Sequence, residues 1–303
     1  LQDLDAALSG DAGRLVAKGT WMPRDGDGTN LVLTLDAVDL AAASEIVDVY
    51  APRAISEDIT GLSGIFGLQV ALTHFAPGEL RVDLDGGVDD LVLPERMGLA
   101  VNTLDLDLAA HGPLRLPTVL VRARDGKSLL LDLRGHIPIA WNETAPALAC
   151  GEHLNLEVLL APGKLERFHA RFPAAPEIEG FGSARLLASG DMCDPAFSLV
   201  STWSLPVGVA GQHVRFDVDL ERQGDTLELW GAVEEAFARR LIVEGGAATP
   251  ATATFAALAN GAPEGVPDLS NPDAWVGDLA VRLVPLAVPL AWLAQIASLD
   301  VGL

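Results

Sequence analysis

Any chemistry in this chain would come from its histidines, cysteines and clustered carboxylates. The six histidines, His74, His111, His136, His153, His169 and His213, never fall in HxxxH or Cys/His ligand spacings, which argues against a zinc site. Asp25, Asp27 and Asp36 occupy the first, third and twelfth positions of a calcium-type loop. Asn30 stands at the sixth, where such a loop requires glycine, so a plain hairpin loop is the better reading. Asp83, Asp85, Asp89 and Asp90 gather beside Gly86-Gly87 and read as a solvated hairpin tip rather than a carboxylate pair, and His153 near Glu152 and Glu157 makes no better acid–base couple. No GxSxG elbow or Walker loop occurs, and Gly180-Phe181-Gly182 lacks the third glycine and the following helix of a dinucleotide loop. The expectation is a non-enzymatic protein with no metal and no cofactor. Cys150 and Cys193, the only cysteines, either form a bridge or remain thiols, with no CxxC spacing to suggest metal or redox work.

What does recur is a leucine, a glycine four residues later and a proline shortly after. The pattern appears at Leu15/Gly19/Pro23, Leu108/Gly112/Pro117, Leu131/Gly135/Pro138, Leu186/Gly190/Pro195 and Leu241/Gly245/Pro250, a degenerate internal repeat with irregular spacing. On a strand, residues four apart share a face. A missing side chain there lets the strand bend or end, and proline, which cannot donate to a ladder, suits the start of the next strand. The repeat therefore reads as strand, break, strand.

The composition agrees. Half of the 303 residues are apolar while only 5% are aromatic, so the apolar content is mostly Leu, Val and Ala, suited to strands with slim side chains. Forty-two acidic against 20 basic residues give a formal charge of -22, which repels phosphate backbones, excludes nucleic acid as a partner and disfavours docking on anionic membrane surfaces. Leu1 stands where an initiator Met would, and the expectation is a piece of a longer chain.

Along the chain the apolar residues alternate with charged ones at period two, the mark of a sheet with one dry and one wet face. The dry positions, taken as candidate lining for an apolar ligand, are Leu31, Leu33, Leu35, Leu80, Val82, Leu84, Leu104, Leu106, Leu108, Leu129, Leu131, Leu133, Leu154, Leu156, Val158, Val214, Phe216, Val218, Leu227 and Leu229. Leu40 to Tyr50 reads as a short helix stopped by Pro52, Pro162-Gly163 as a turn, and Pro285 to Leu299 as a proline-led helix covering a sheet end. The Pro/Gly/Ala-rich stretch Pro173 to Gly182 is the natural internal boundary, dividing the chain into 1–172 and 173–303. The fold class is mainly β: a long antiparallel β-groove, a curved, taco-like sheet of degenerate strand repeats with short helical segments. An eight-residue strand spans roughly 26 Å, so a curved row of such strands makes a trough that accepts acyl chains.

The strand-Gly-x-x-x-x-Pro-strand units at Leu108 to Val121 and Leu186 to Leu199, the Arg222-Gln223-Gly224-Asp225-Thr226-Leu227-Glu228-Leu229 hairpin, and Pro285-Leu286-Ala287 with Trp292-Leu293 resemble the TamB (translocation and assembly module B) family of AsmA-like, bridge-like lipid transfer proteins. The resemblance implies a hydrophobic β-groove in the periplasm of the bacterial cell envelope, anchored to the inner membrane by a segment outside these residues. It further implies phospholipid as ligand, movement of phospholipid between inner and outer membranes, and a role in outer-membrane protein assembly with a barrel partner engaged through other regions. It carries over no catalytic residue. The alternative is a closed β-sandwich or solenoid binding module of a surface protein, in which loop tips such as Asp25 to Asn30 would matter more than strand faces.

Overall fold

The computed structural model describes residues 2–10, 12–21, 30–43, 61–73, 80–96, 99–141, 146–149, 151–173, 178–207, 212–224, 226–235, 238–248 and 276–283. The chain is mainly β with little helix, as the alternation predicts, and each of its parts is an open antiparallel sheet rather than the closed sandwich of the alternative reading. It separates into two compact units, residues 1–147 with 154–178, and residues 148–153 with 179–303. The division at 178/179 falls inside the Pro173 to Gly182 stretch, but residues 148–153 go with the second unit.

The first unit is a meander. Strands β1 (Gln2–Gly10), β2 (Gly13–Trp21), β3 (Asn30–Asp39), β4 (Ser63–Thr73), β5 (Arg81–Arg96), β6 (Leu99–Pro113), β7 (Thr118–Asp125) and β8 (Ser128–His136) pair in chain order, and β11 (His153–Lys164) adds to β8. Where the connection is short, as between β1 and β2 or β7 and β8, an antiparallel neighbour is the simplest arrangement available. Two three-residue strands, β9 (Ile139–Trp141) and β10 (Pro146–Leu148), take no part in this ladder. The second unit is the same design: β12 (Phe181–Asp191), β13 (Asp194–Val207), β14 (Gln212–Gln223), β15 (Thr226–Glu235), β16 (Ala238–Ala248) and β17 (Val276–Leu283), each antiparallel to the next.

The leucine–glycine–proline repeat marks a strand break at its Leu108, Leu131 and Leu186 copies, whereas Gly19 and Gly245 lie inside β2 and β16 and stay paired in the ladder. β12 carries Leu186 and Gly190, turns, and β13, opening at Asp194, sets Pro195 opposite Gly190, whose φ of +103° is a conformation only glycine adopts freely. At Leu108/Gly112/Pro117, β6 ends at Pro113 and β7 begins just after the proline. Pro23 and Pro250 lie outside the described residues.

Two expectations change. Asp83, Asp85, Asp89 and Asp90 are not at a hairpin tip: Gly86 and Gly87 lie inside the sixteen-residue β5, paired with β4 and β6. A Cβ on Gly86 would meet the Gly67 carbonyl oxygen at 2.5 Å, so the glycines serve close strand approach rather than a turn. Pro162-Gly163 does not turn the chain, since β11 runs through both to Lys164, past Leu160, its last residue paired with β8. It leads directly into a helix that the alternation did not announce, α1 (Leu165–Arg171). The helix expected from Leu40 is seen as a helical turn over residues 40–43, capped by Asp39, whose carboxylate accepts the Ala41 and Ala42 amides at 2.9 and 3.2 Å. Residues 44–50 and the helix expected at Pro285 to Leu299 lie outside the described residues.

Candidate functional site: an apolar sheet face

Residues directly opposite one another in a ladder share a face, so the register assigns every strand residue to one side. In the first unit one side reads Leu4, Ala6, Leu8 on β1; Leu15, Ala17 on β2; Leu31, Leu33, Leu35 on β3; Phe66, Leu68, Val70, Leu72 on β4; and Val82, Leu84, Val88 on β5. It continues with Leu106, Leu108 on β6, Val119, Val121 on β7, Leu131, Leu133 on β8 and Leu156, Val158, Leu160 on β11. The opposite side carries Asp3, Asp5, Lys18, Gln69, Asp83, Asp85, Asp107, Arg122, Asp132, Arg134 and Glu157. The second unit repeats this: Leu186, Leu199, Leu220, Leu229 form one cross-strand row, and Trp203, Phe216, Val233 and Leu241 another.

Cross-strand ion pairs fasten the wet side. Arg134 donates to Glu157 at 2.8 Å, which raises the arginine's pKa, Arg122 lies 3.6 Å from Asp132, and Arg124 pairs with Asp107. In the second unit Thr202 donates to Asp217 at 2.7 Å, and Arg215 donates to the same carboxylate at 3.0 Å. A one-residue slip of β6, β7, β8 or β11 would both break a cross-strand ion pair and turn that strand's leucines to the charged side, so register and face are specified together there.

Most of the dry face is half-buried rather than sealed. Leu31, Leu33, Leu35, Leu80, Leu84, Leu106, Leu108, Leu131, Leu133, Leu156, Val158, Phe216, Val218, Leu227 and Leu229 all keep part of their surface, and Leu8 on β1 is 71% exposed. Leu80 immediately precedes β5, its carbonyl accepting the Leu114 amide at 2.8 Å. Four expected lining residues offer almost nothing to a ligand, because packing has consumed them: Val82, Leu104, Leu154 and Val214 are buried.

Leu129 departs for a different reason. Ala123 faces Leu131 but Arg124 faces Leu129, a register shift that inserts Leu130 as an extra residue. The bulge places Leu129 on the wet side with Arg124 and Asp105, and Leu130 joins a buried cluster with Val101, Leu104 and Ala123.

That cluster has a cover. Phe168 of α1 and Phe172 just beyond it, with ring centroids 5.0 Å apart, pack on it. Asp125, on the dry side of β7, accepts from Arg167 at 3.0 and 3.2 Å and from Arg171 at 2.7 Å. Those two guanidiniums, Arg167 foremost, hold the Asp125 carboxyl below its ordinary range against the opposing effect of burial. Among the apolar rows of the second unit's dry face stands a charge, Arg222, buried and bonded to the Asp194 carboxylate and the Pro195 carbonyl. Period two from Val214 through Leu220 places Arg222 on this side, so the sequence held that signal; the helix and its two phenylalanines had none.

Cys193 is in a disulfide; Cys150, the other cysteine of the sequence, lies outside the described residues. Around it Asp191 accepts the Cys193 amide at 2.8 Å and the Gly151 amide, which keep its carboxyl below the ordinary range, and the Met192 amide donates to Glu152 at 3.1 Å. Residues 151–152 are thereby tied to the β12–β13 turn.

Among the described residues no group of three or more His, Cys, Asp or Glu is arranged to hold a metal. Asp25 and Asp27 lie outside them, and Asp36 is an exposed β3 residue opposite Arg14. His111 bonds Asp83 and His136 lies 3.1 Å from Thr118, both on the wet side. A concavity of about 550 Å³ on the wet side of the second unit is lined by Asp219, Glu221, Glu228, Trp230 and Glu244. No helix among the described residues is long and apolar enough to cross a membrane. No family model, no curated protein and no solved structure matches the chain.

Proposed function

We propose that the chain is a non-enzymatic lipid-binding segment: its dry strand faces take the acyl chains of phospholipid while the charged faces stay in water. The observation that carries this reading is the dry face itself. Strand after strand in each unit presents Leu, Val or Phe on one side, and most of those side chains remain partly exposed in an open sheet instead of meeting a second layer. Apolar surface on that scale is a binding surface for something apolar. The ligand needs no specific contact; a continuous floor of similar side chains lets a hydrocarbon tail shift along it at nearly constant energy.

The finer reading is a conduit of the TamB, AsmA-like type, held in the periplasm, moving phospholipid between inner and outer membranes and linked with outer-membrane protein assembly through a barrel partner. The repeat grammar and the open curved sheet support it, and so does the disulfide at Cys193, a bond that persists in oxidising compartments. The test is mass spectrometry of lipids extracted from the chain purified without detergent. Co-purifying phospholipid is the expected result; lipid-free protein that also takes up none from vesicles would refute the reading.

A further inference from the structure

We propose that α1 is a displaceable cover over an apolar subsite for one acyl chain, built from Val101, Leu104, Ala123 and Leu130; this rests on the reading of the dry face as a lipid-binding surface. Most of the first unit's dry face keeps part of its surface, with Val82, Val88 and Leu154 buried singly by their strand neighbours, whereas here four neighbouring side chains are buried as a cluster and the groups packed on them include Phe168 and Phe172.

Little inside α1 keeps it helical on its own. It is seven residues long, its N-cap position is Lys164 with no side-chain cap, and none of its residues is fully buried. A helix this short is unstable in isolation, so its order comes from docking. The docking has two parts: the two rings, and a polar latch. In the latch Asp125 accepts from Arg167 and Arg171, Arg171 also donates to the Asn102 carbonyl at 3.3 Å, and the Asn102 amide donates to the Ala170 carbonyl at 3.4 Å.

This division of labour matters for exchange. A hydrocarbon tail entering the subsite replaces one apolar occupant by another, so the burial of Val101, Leu104, Ala123 and Leu130 is nearly conserved and the polar latch sets the difference. Elements with few buried contacts of their own are also the ones that open first. The subsite is thus occupied by the protein's own phenylalanines until a tail competes for it.

Hydrogen–deuterium exchange on the whole chain, with and without oleate below its aggregation concentration, tests the cover, using the wild type and Asp125→Asn. Asp125→Asn removes the carboxylate that both arginines share and is expected to speed exchange of the 165–171 amides about ten-fold without ligand. Oleate is expected to slow exchange in β2–β4, where the face is open, and to speed it in α1 of the wild type. If oleate protects β2–β4 and α1 exchange stays unchanged in both proteins, the cover is refuted while the lipid-binding reading stands. If no strand is protected in either protein, the lipid-binding reading and the cover fall together; protection confined to β6–β8 of Asp125→Asn upholds both, with the tail admitted only once the latch is broken.

Discussion

Leu33→Asp separates a dry face open to a ligand from one consumed by packing. Leu33 lies mid-way along β3 with Ala17 opposite on β2 and Val70 opposite on β4, and it is half-buried. Fully burying a leucine is worth about 1.5–3 kcal/mol, so a half-buried one contributes about 1 kcal/mol to the fold. In an open face the new carboxylate stays hydrated and adds no buried charge. The expected cost is therefore about 1 kcal/mol, or about 2–4 °C in the melting temperature of a unit this size. Against hydrocarbon the same carboxylate must be desolvated, at several kcal/mol, which lowers lipid loading by about a hundred-fold or more. Thr34→Asp, one residue on and facing the wet side opposite Val16 and Gln69, is the control and should leave both properties nearly unchanged. The assays are calorimetric melting and uptake of a fluorescent phospholipid from vesicles. Normal uptake by Leu33→Asp would refute lipid binding at this face, and destabilisation beyond about 4 kcal/mol would show that the face is sealed.

Other expectations follow from single contacts. Because its two arginines hold Asp125 below the ordinary carboxylate range, the latch contributes fully at pH values above that range. The contribution is lost as the pH falls through the depressed value, so wild type and Asp125→Asn should differ in melting temperature at neutral pH and converge in acid. Glu221 and Glu228 stand directly opposite each other on β14 and β15, so Glu228→Gln should raise the melting temperature of the second unit by about 1–2 °C at low salt and by less at high salt. Gly86→Val should cost a few kcal/mol, since its Cβ would meet backbone at 2.5 Å; a neutral effect in calorimetry would contradict that packing. Thiol titration of the unfolded, unreduced chain should find no free thiol, with two appearing after reduction.

The face assignments were legible wherever alternation ran unbroken. Leu31 to Leu35, Leu80 to Leu84 and Val214 to Leu220 show it, because period two is a backbone property that needs no neighbour. The reading failed where the ladder gains a residue. Ser128-Leu129-Leu130-Leu131 breaks alternation with three leucines in a row, and the bulge there reverses Leu129. Asp90 and Thr103 carry positive φ at similar shifts between β5 and β6; the short polar side chain of aspartate tolerates that conformation, the β-branched Thr103 is strained in it, and neither residue announces it. Burial was less readable than face, since Leu104 looks like Leu106 in sequence and only a helix sixty residues later covers it. That helix has no capping residue, and its two aromatics four apart carried too little pattern to outweigh the strands on either side.

The account turns on which side of the sheet meets lipid, and site-specific photo-crosslinking in cells reads this directly. A benzophenone amino acid placed at Leu33, Leu133 or Val218 is expected to capture phospholipid, and the same group at Thr34, Arg134 or Asp219 to capture none. Equal capture from both sides, or none from the apolar one, would contradict the account.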